Sequence, residues 1–377
     1  MPTVKLGDVA IEAKETYKGD KTGYPIVGLE HITPEEVTLS NWSVDTENTF
    51  TKMFRKDDIL FGRRRAYLKK AAIAPFDGIC SGDITVIRAK SEKVLPTLLP
   101  FVIQNDDFFE YAVGKSAGSL SPRVKWEHLK NYEFNLPSLE KQKELADLLW
   151  SINNSRKAYQ GLLRETDELI KSQFIEMFGR LGYDDKGWGM TTLGECCELN
   201  PRRPQGIADD LEVSFLAMPS VSEDGHMDTK VIRPYSEVKK GFTYFAEKDV
   251  LFAKITPCME NGKGAVAEGL SNDLGAGSTE FHVLRPIQGK SNPYWLYIIT
   301  MFETFRVNAK KVMTGTGGQL RVPIAYLKEY PITLPPIELQ NEFEVFYRQS
   351  DKSKFELKQA IEGVDNLIRS LVQQELK

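Results

Sequence analysis

Cysteine and histidine are scarce in this sequence, and neither residue type is placed for a metal site or a disulfide framework. The 377 residues include four cysteines and four histidines. No C-x-x-C pair occurs, two of the cysteines are adjacent, and the histidines lack ligand spacing. These residues are Cys80, Cys196, Cys197, Cys258, His31, His128, His226 and His282. We therefore expect no metal to be bound by this chain.

Long apolar runs and a signal sequence are also lacking. The stretch from Leu95 to Ile103 is too short to span a bilayer and contains proline, and no basic flank with an apolar run follows Met1. Hydrophobic residues make up 41% and charged residues 27% of the chain, which are ordinary values for a globular protein. The sequence therefore predicts a cytoplasmic protein without membrane contact.

The motifs of common nucleotide-binding and DNA-modifying enzymes are missing as well. The G-K-S at 114–116 supplies only the tail of a P-loop, and the Gly-rich 315–318 precedes no dinucleotide-binding helix. The N-P-Y at 292–294 lacks the second proline of the [DN]-P-P-[YF] motif of amino-methyltransferases. We expect no catalytic centre in this chain.

What the sequence does contain is an internal duplication. The L-G-D-V at Leu6 matches L-G-E-C at Leu193, and the D-I-L-F at Asp58 matches D-V-L-F at Asp249. The match strengthens downstream, where positions 129–142 align with positions 327–340 at a constant offset of 198 residues. A period this long excludes a solenoid and indicates two homologous halves.

Each half begins with a segment of mixed helix and strand. Asp58–Phe61 and Ile84–Ile87 are short β-rich runs bounded by turn residues, which predicts strands. Leu95–Tyr111 and Pro293–Lys311 each carry proline near the start and are predicted to be helices. Gly-rich turns follow at 114–119 and 315–318.

A long helix closes each half, beginning near Ser138 in the first copy. Apolar residues recur with heptad-like spacing and in the same phase in both copies. The residues predicted to pack are Leu145, Leu149, Ile152, Tyr159, Leu163, Ile170, Phe343, Tyr347, Leu357, Ile361, Val364 and Ile368. Two such stripes can bury each other in an antiparallel pair. Polar interruptions at Arg156, Ser350 and Lys354 suggest a loosely packed or hydrated middle.

The predicted fold class is therefore α+β, with two duplicated α/β domains joined by two long antiparallel helices in a coiled-coil-like pair. The predicted segments are a first domain at 1–137, its helix at 138–178, a Gly-rich linker at 179–189, a second domain at 190–335 and its helix at 336–377.

Basic side chains cluster in the loops of both domains, although the net charge of −4 argues mildly against nucleic-acid binding. Net charge averages over all faces, so local clusters can still neutralise phosphates. The loops after the D-[IV]-L-F strands and the Gly-rich turns are the candidate surfaces. The candidate DNA-binding residues are Arg63, Arg64, Arg65, Lys69, Lys115, Ser119, Arg123, Lys254, Asn261, Lys263, Lys310, Lys311, Gln319 and Arg321.

The doubled arrangement resembles the specificity subunits of type I restriction-modification systems. The resemblance covers essentially the whole chain and is carried by the motif L-K-x-Y-x-[FI]-x-L-P-[SP]-[LI]-E-x-Q at Leu129–Gln142 and Leu327–Gln340. The D-[IV]-L-F runs at Asp58 and Asp249 and the related ends of the two helices add to it.

The resemblance implies that each domain reads one half of a split, asymmetric target in double-stranded DNA, and that the helices act as a spacer and docking element. The implied partners are two modification subunits, which methylate adenine with S-adenosylmethionine, and restriction subunits, which use ATP and Mg²⁺. Under this interpretation the chain itself binds no cofactor and catalyses no reaction.

Three other interpretations stay open at the level of sequence. The chain could serve a fused nuclease–methyltransferase system of another type, which neighbouring genes would reveal. It could be a duplicated enzyme, in which case the purified chain alone would methylate or cut DNA. It could be a coiled-coil scaffold, which sequence-specific DNA binding would contradict.

Overall fold

In the computed structural model, which describes residues 2–45 and 47–377, the chain divides into two units. Unit 1 comprises Met1–Leu162 with Leu357–Lys377, and unit 2 comprises Leu163–Glu356. Met1, where the predicted first domain begins, lies outside the described residues. Each unit therefore contains one mixed domain together with a part of both long helices. None of the helices in the described ranges is both long and apolar enough to cross a membrane.

Unit 1 is built from short strands around a helical layer. Its strands are β1 Thr3–Lys5, β2 Ala10–Glu12, β3 Ile26–Val27, β4 Lys52–Phe54, β5 Ile59–Gly62, β6 Ala71–Ile73, β7 Gly78–Cys80, β8 Ile84–Ala89 and β9 Glu133–Asn135. Its helices are α1 Leu6–Val9, α2 Leu99–Ile103, α3 Asp106–Gly114, α4 Trp126–Leu129 and the first part of α5 Leu139–Phe178. The main sheet has the order β2-β8-β5-β6, and smaller sheets pair β3-β7-β4 and β1-β9.

Unit 2 repeats this plan with a larger second sheet. Its strands are β10 Met190–Thr192, β11 Cys197–Leu199, β12 Glu212–Leu216, β13 Ile232–Pro234, β14 Thr243–Ala246, β15 Val250–Ala253, β16 Gly264–Val266, β17 Leu274–Gly277, β18 Phe281–Pro286, β19 Thr314–Thr316, β20 Gln319–Arg321 and β21 Pro331–Thr333. Its helices are α6 Leu193–Cys196, α7 Tyr235–Val238, α8 Pro293–Met301, α9 Glu303–Lys311, α10 Ile324–Glu329 and the first part of α11 Ile337–Leu376. The sheet order β11-β18-β15-β16 reproduces the main sheet of unit 1.

These observations confirm the predicted fold class and strands, but two predicted helices are each broken in the middle. The predicted helix at 95–111 is α2 followed by α3, because Asn105 caps a new helix by accepting a hydrogen bond from Asp107 N at 3.1 Å. The predicted helix at 293–311 is α8 and α9, separated at Phe302, whose backbone is extended. Helical periodicity continues across both breaks, so the sequence pattern alone did not reveal them.

The aspartate of each D-[IV]-L-F run is a buried structural ion-pair partner. Asp58 is 1% exposed and receives Arg88 Nε and Nη2, both at 2.7 Å. Asp249 is also 1% exposed and receives Arg285 Nε at 2.8 Å and Nη2 at 2.7 Å. A bidentate arginine compensates the cost of burying a carboxylate. The repeated motif thus reflects packing of the main sheet.

The glutamine that ends each repeated motif ties a long helix to its domain. Gln142 Nε2 donates to Pro137 O at 2.9 Å, and its Oε1 accepts from Leu95 N at 2.9 Å. Gln340 Nε2 donates to Pro335 O at 2.9 Å, and its Oε1 accepts from Asn292 N at 2.8 Å. Both side chains are buried, so these hydrogen bonds satisfy polar groups that would otherwise destabilise the helix start.

Within each unit the two long helices pack antiparallel. In unit 1, Leu145 and Leu149 from the start of α5 share a core cluster with Val372 and Leu376 from the end of α11. In unit 2, Phe174 from the end of α5 lies 5.4 Å, between ring centroids, from Phe343 near the start of α11. Five of the residues predicted to pack are buried, namely Leu145, Leu149, Ile170, Phe343 and Tyr347, and the other seven are half-buried.

The polar residues that interrupt the apolar stripe, where we expected a loosely packed or hydrated middle, form ion pairs between the two helices. Arg156 Nε lies 2.8 Å from Asp365 Oδ1 in unit 1, and Lys354 Nζ lies 2.7 Å from Asp167 Oδ1 in unit 2. Both cationic side chains are largely buried, as is Ser350. The two pairs are equivalent under the 198-residue offset. Polar residues in the apolar stripe therefore meet opposite charges on the other helix, which favours one register over others.

Removing one member of the unit 1 pair should destabilise the chain, because the other charge stays buried without a partner. We expect Arg156→Met to lower the free energy of unfolding by about 2 kcal/mol. The double variant Arg156→Met with Asp365→Leu should recover most of the lost stability, because it removes the carboxylate that would be left unpaired. Burial disfavours the ionised form of that carboxylate and raises the pKa of Asp365, and Arg156 opposes this effect.

Urea denaturation of the full chain measures both effects. Glu144→Ala is the matched control, because it breaks an exposed pair with Lys141 on the same helix and should change stability little. Equal losses for Arg156→Met and Glu144→Ala would contradict the penalty expected for leaving the Asp365 carboxylate buried without a partner.

Candidate nucleic-acid interface

The loop after β5 is joined to the segment that follows the Gly-rich turn of unit 1. Arg63 N donates to Asp83 O at 3.0 Å, and Val124 N donates to Arg63 O at 3.0 Å. Arg65 N also donates to Pro122 O at 2.8 Å. The fold thus brings the predicted cluster Arg63, Arg64 and Arg65 beside the predicted Arg123, although some sixty residues separate them in sequence.

One carboxylate holds two of these arginines. Asp83 Oδ1 accepts from Arg123 Nε at 2.9 Å, and Asp83 Oδ2 accepts from Arg64 Nη1 at 3.2 Å. Arg64 Nε additionally donates to Ser121 Oγ at 2.5 Å. Burial raises the pKa of Asp83, but the hydrogen bonds from Arg123 and Arg64 outweigh it and leave the pKa below its usual value. We call this arrangement the carboxylate brace.

Unit 2 has a related brace, in which the carboxylate of Glu280 binds one arginine. Arg321 donates to both carboxylate oxygens of Glu280, with Nη2 at 2.7 Å from Oε1 and Nε at 2.9 Å from Oε2. Lys254 N donates to Glu280 O at 2.9 Å, and Val322 N donates to Lys254 O at 2.9 Å. Hydrogen bonds from Arg321 hold the pKa of Glu280 below its usual value. Lys254 therefore occupies the position that Arg63 has in unit 1.

The Gly-rich turns project from these braces. In unit 2, β19 and β20 form a hairpin whose tip residues Gly317 and Gly318 have φ of 63° and 78°, conformations that suit glycine. In unit 1, Ala117 and Arg123 exchange backbone hydrogen bonds of 3.0 and 2.9 Å below an exposed tip that includes Ser119 and Leu120. Exposed backbone and small side chains on a braced base suit close approach to a large ligand.

Several predicted DNA-binding residues are engaged with neighbouring side chains. Ion pairs join Lys69 to Asp106 and Lys310 to Glu260. The remaining contacts are Asn261 to Glu223, Lys311 to Asn308 and Lys115 over the ring of Tyr111. Gln319 is exposed on its hairpin, and Lys263 is half-buried. These residues are not gathered at the braces in the way that Arg63, Arg64, Arg123, Lys254 and Arg321 are.

A cleft of about 730 Å³ opens beside the brace of unit 1. Arg63 and Arg123 line it, and so do residues that the sequence did not single out. The additional lining residues include Lys14, Glu15, Thr16, Thr49, Thr51, Lys52 and Ser81. Burial lowers the pKa of Lys52, whose Nζ donates to Ile84 O at 2.7 Å. Sequence spacing gave no signal for these residues, because they come from separate segments that meet through the pairing of β4 with β7 and of Thr16 with Lys52.

The described part of the chain holds no group of three or more His, Cys, Asp or Glu side chains arranged to bind a metal ion. The two units share a carboxylate bonded to arginine and, beside it, a cation that is Arg63 in unit 1 and Lys254 in unit 2. Such groups can bind phosphates and base edges.

Comparison with known proteins agrees with this interpretation of the geometry. The family model described as type I restriction modification DNA specificity domain matches residues 1–162 and 185–363. The chain therefore belongs to the family of type I restriction-modification DNA specificity domains.

Two curated relatives come from Escherichia coli. The type I restriction enzyme EcoEI specificity subunit is 38% identical over 183 residues, which are 46% of this chain and 30% of the relative. The EcoAI specificity subunit is 39% identical over 166 residues, which are 43% of this chain and 28% of the relative. The matches thus span less than a third of the length of either relative.

Two solved structures share the fold across nearly the whole chain. One is described as showing complex assembly and conformational transition of the type I R-M system; it has a TM-score of 0.54 at 20% identity and covers 99% of this chain and 97% of the other. The type I restriction-modification S subunit from M. genitalium also has a TM-score of 0.54, at 12% identity, and covers 98% and 95% of the two chains. At these identities the similarity establishes the fold alone.

The brace predicts a specific acid sensitivity. Because the pKa of Asp83 is lowered on folding, its ionised form stabilises the folded state, and this contribution is present above the unfolded pKa of about 4 and is lost as the pH falls through the folded pKa. We expect Asp83→Asn to unfold at a lower temperature at pH 7 and to lose less stability than the wild type on acidification.

Thermal unfolding at a series of pH values from about 7 to about 3 tests this. Glu92→Gln serves as the control, because it removes one exposed carboxylate and should follow the wild-type curve. Identical curves for Asp83→Asn and the wild type would show that the brace does not contribute.

Proposed function

We propose that the chain is the DNA specificity subunit of a type I restriction-modification complex. It recognises a bipartite, asymmetric target and directs adenine methylation and restriction by partner subunits. The observation that carries the proposal is the repetition of one braced basic arrangement, with Arg63, Asp83 and Arg123 in unit 1 and Lys254, Glu280 and Arg321 in unit 2.

Different side chains at equivalent positions fit the reading of two different half-sites. Arginine donates two hydrogen bonds in a fixed fork, whereas lysine presents a compact charge with rotatable donors. The two units also differ in their second sheets, with three strands in unit 1 and four in unit 2. A duplicated frame with divergent contact residues therefore supports an asymmetric target.

In this proposal the chain is not catalytic by itself. The partners are double-stranded DNA, two modification subunits and restriction subunits. The modification subunits use S-adenosylmethionine, and the restriction subunits use ATP and Mg²⁺. The long helices act as the spacer between half-sites and as the docking element for partners. Adenine is flipped out of the duplex by the modification subunits. The cytoplasmic location expected from the sequence stays a prediction.

Single-molecule methylation sequencing tests the function directly. The chain is expressed with its modification subunits in a host that lacks other adenine methylation, with a strain lacking this chain as the control. We expect a gapped, asymmetric motif with adenine methylated in both halves. Methylation that persists without the chain, or by the purified chain alone, would refute the proposed role.

Shortening both long helices should shorten the gap between half-sites. Deleting residues 158–164 and 356–362 removes equivalent seven-residue segments of α5 and α11 and leaves Arg156, Asp167, Lys354 and Asp365 in place. Each deletion removes about 10 Å of helix, so we expect a gap shorter by up to about three base pairs with unchanged half-sites. The methylation motif of the variant is the measurement.

Deletion of 158–164 alone is the control, because the two helices then no longer match in length. We expect that variant to lose stability instead of giving a shorter gap. Altered half-sites at an unchanged gap in the double deletion would contradict the spacer role.

A further inference from the structure

Arg63 is the arginine of the unit 1 cleft that is not committed to the brace. Arg64 and Arg123 bind Asp83, whereas no carboxylate within the described residues lies within 4.0 Å of the Arg63 guanidinium. Its Nε is buried, and no hydrogen-bond acceptor reaches it in the part of the chain that the structure describes. The protein therefore does not hold the Arg63 guanidinium in the way that Asp83 holds those of Arg64 and Arg123.

The backbone of Arg63 is held on both sides. Its N–H and C=O are bound to Asp83 and Val124, the latter directly after the braced Arg123. The side chain therefore leaves a rigid frame at the end of β5 and not a mobile loop. Lys254 has the same two backbone contacts in unit 2, with Glu280 and Val322. A cation at one position of a repeated frame fits a contact that both units make with their ligand.

The lining of the cleft offers both donors and acceptors of hydrogen bonds, as the reading of base edges requires. Hydroxyl groups of Thr16, Thr49, Thr51 and Ser81 can donate and accept hydrogen bonds. Phosphate oxygens only accept, whereas base edges in the major groove present both donors and acceptors. The carboxylates of Glu15 and Asp83 also line the cleft, and each is bonded to two arginines, Glu15 to Arg55 and Arg88. Arg63 and half-buried Lys52 add positive charge to the same lining.

We propose that this cleft is the base-reading subsite of unit 1 and that Arg63 selects a guanine in the first half-site. Guanine presents two acceptors, O6 and N7, to the forked donors of one guanidinium. Arg64, Asp83 and Arg123 act as positioning residues that hold the frame. The proposal rests on the proposed function, since it names the contact by which one of the two half-sites is read.

The test uses the full chain assembled with its modification subunits and a plasmid library with randomised half-sites. We expect Arg63→Gln to relax the base preference at one G·C position of one half-site, with discrimination reduced by about 10- to 100-fold. The second half-site and the gap should stay unchanged and report that the complex is intact. Arg63→Lys keeps the charge and should relax the same position, because lysine lacks the fork.

Arg202→Gln is the matched control, because it removes the same charge from an exposed side chain of unit 2 that does not line this cleft. It should leave the first half-site unchanged. An even loss of methylation on all sequences with Arg63→Gln would assign the residue to a phosphate and overturn the proposal. So would an unchanged motif, or a wild-type half-site without a G·C pair. A wild-type complex that yields no gapped motif would refute the proposed function itself, which separates the two failures.

Discussion

The mutual burial of two long helices is the constraint on which both units depend. The core of unit 1 includes Val372 and Leu376 from the far end of the chain, and the core of unit 2 includes Ile170, Phe174 and Phe178 from the first long helix. Neither domain therefore completes its core from its own half of the sequence. An apolar stripe on a helix must be covered, and here the homologous stripe of the other copy covers it.

Ion pairs fix the register of the two long helices, which apolar burial alone does not determine. Apolar stripes tolerate a shift in register, but Arg156 meets Asp365 and Lys354 meets Asp167 in only one alignment. Burial of such pairs adds little net stability, because desolvation offsets the attraction. Their contribution is to selectivity, since a shifted register leaves buried charges without partners. The spacing that we propose for the two half-sites would rest on this alignment.

Paired charges also fix the positions of side chains at the candidate interface. Asp83 binds Arg123, and Glu280 binds Arg321, in each case an arginine about 40 residues away in the sequence. These bonds join a loop to the segment after a Gly-rich turn in each unit. Arginines that are bonded to carboxylates are oriented but partly neutralised. The acidic net charge of the chain is thus compatible with a local basic surface, because some cations are paired with carboxylates and others are not. Arg63 and Lys254 are the cations that this pairing leaves uncommitted.

The sequence alone determined the duplication, the α+β class and the two long helices, because a repeat and a heptad-like spacing can be recognised from the order of residues without knowledge of contacts. It also located the motif residues Gln142 and Gln340, but not the hydrogen bonds by which they tie the long helices to their domains. Only the tertiary structure showed the helix breaks at Asn105 and Phe302 and the ion pairs of Arg156 and Lys354. It also showed that Lys14, Lys52 and Arg63 line one cleft. Charge partners and clefts arise between segments far apart in the chain, so no local pattern records them.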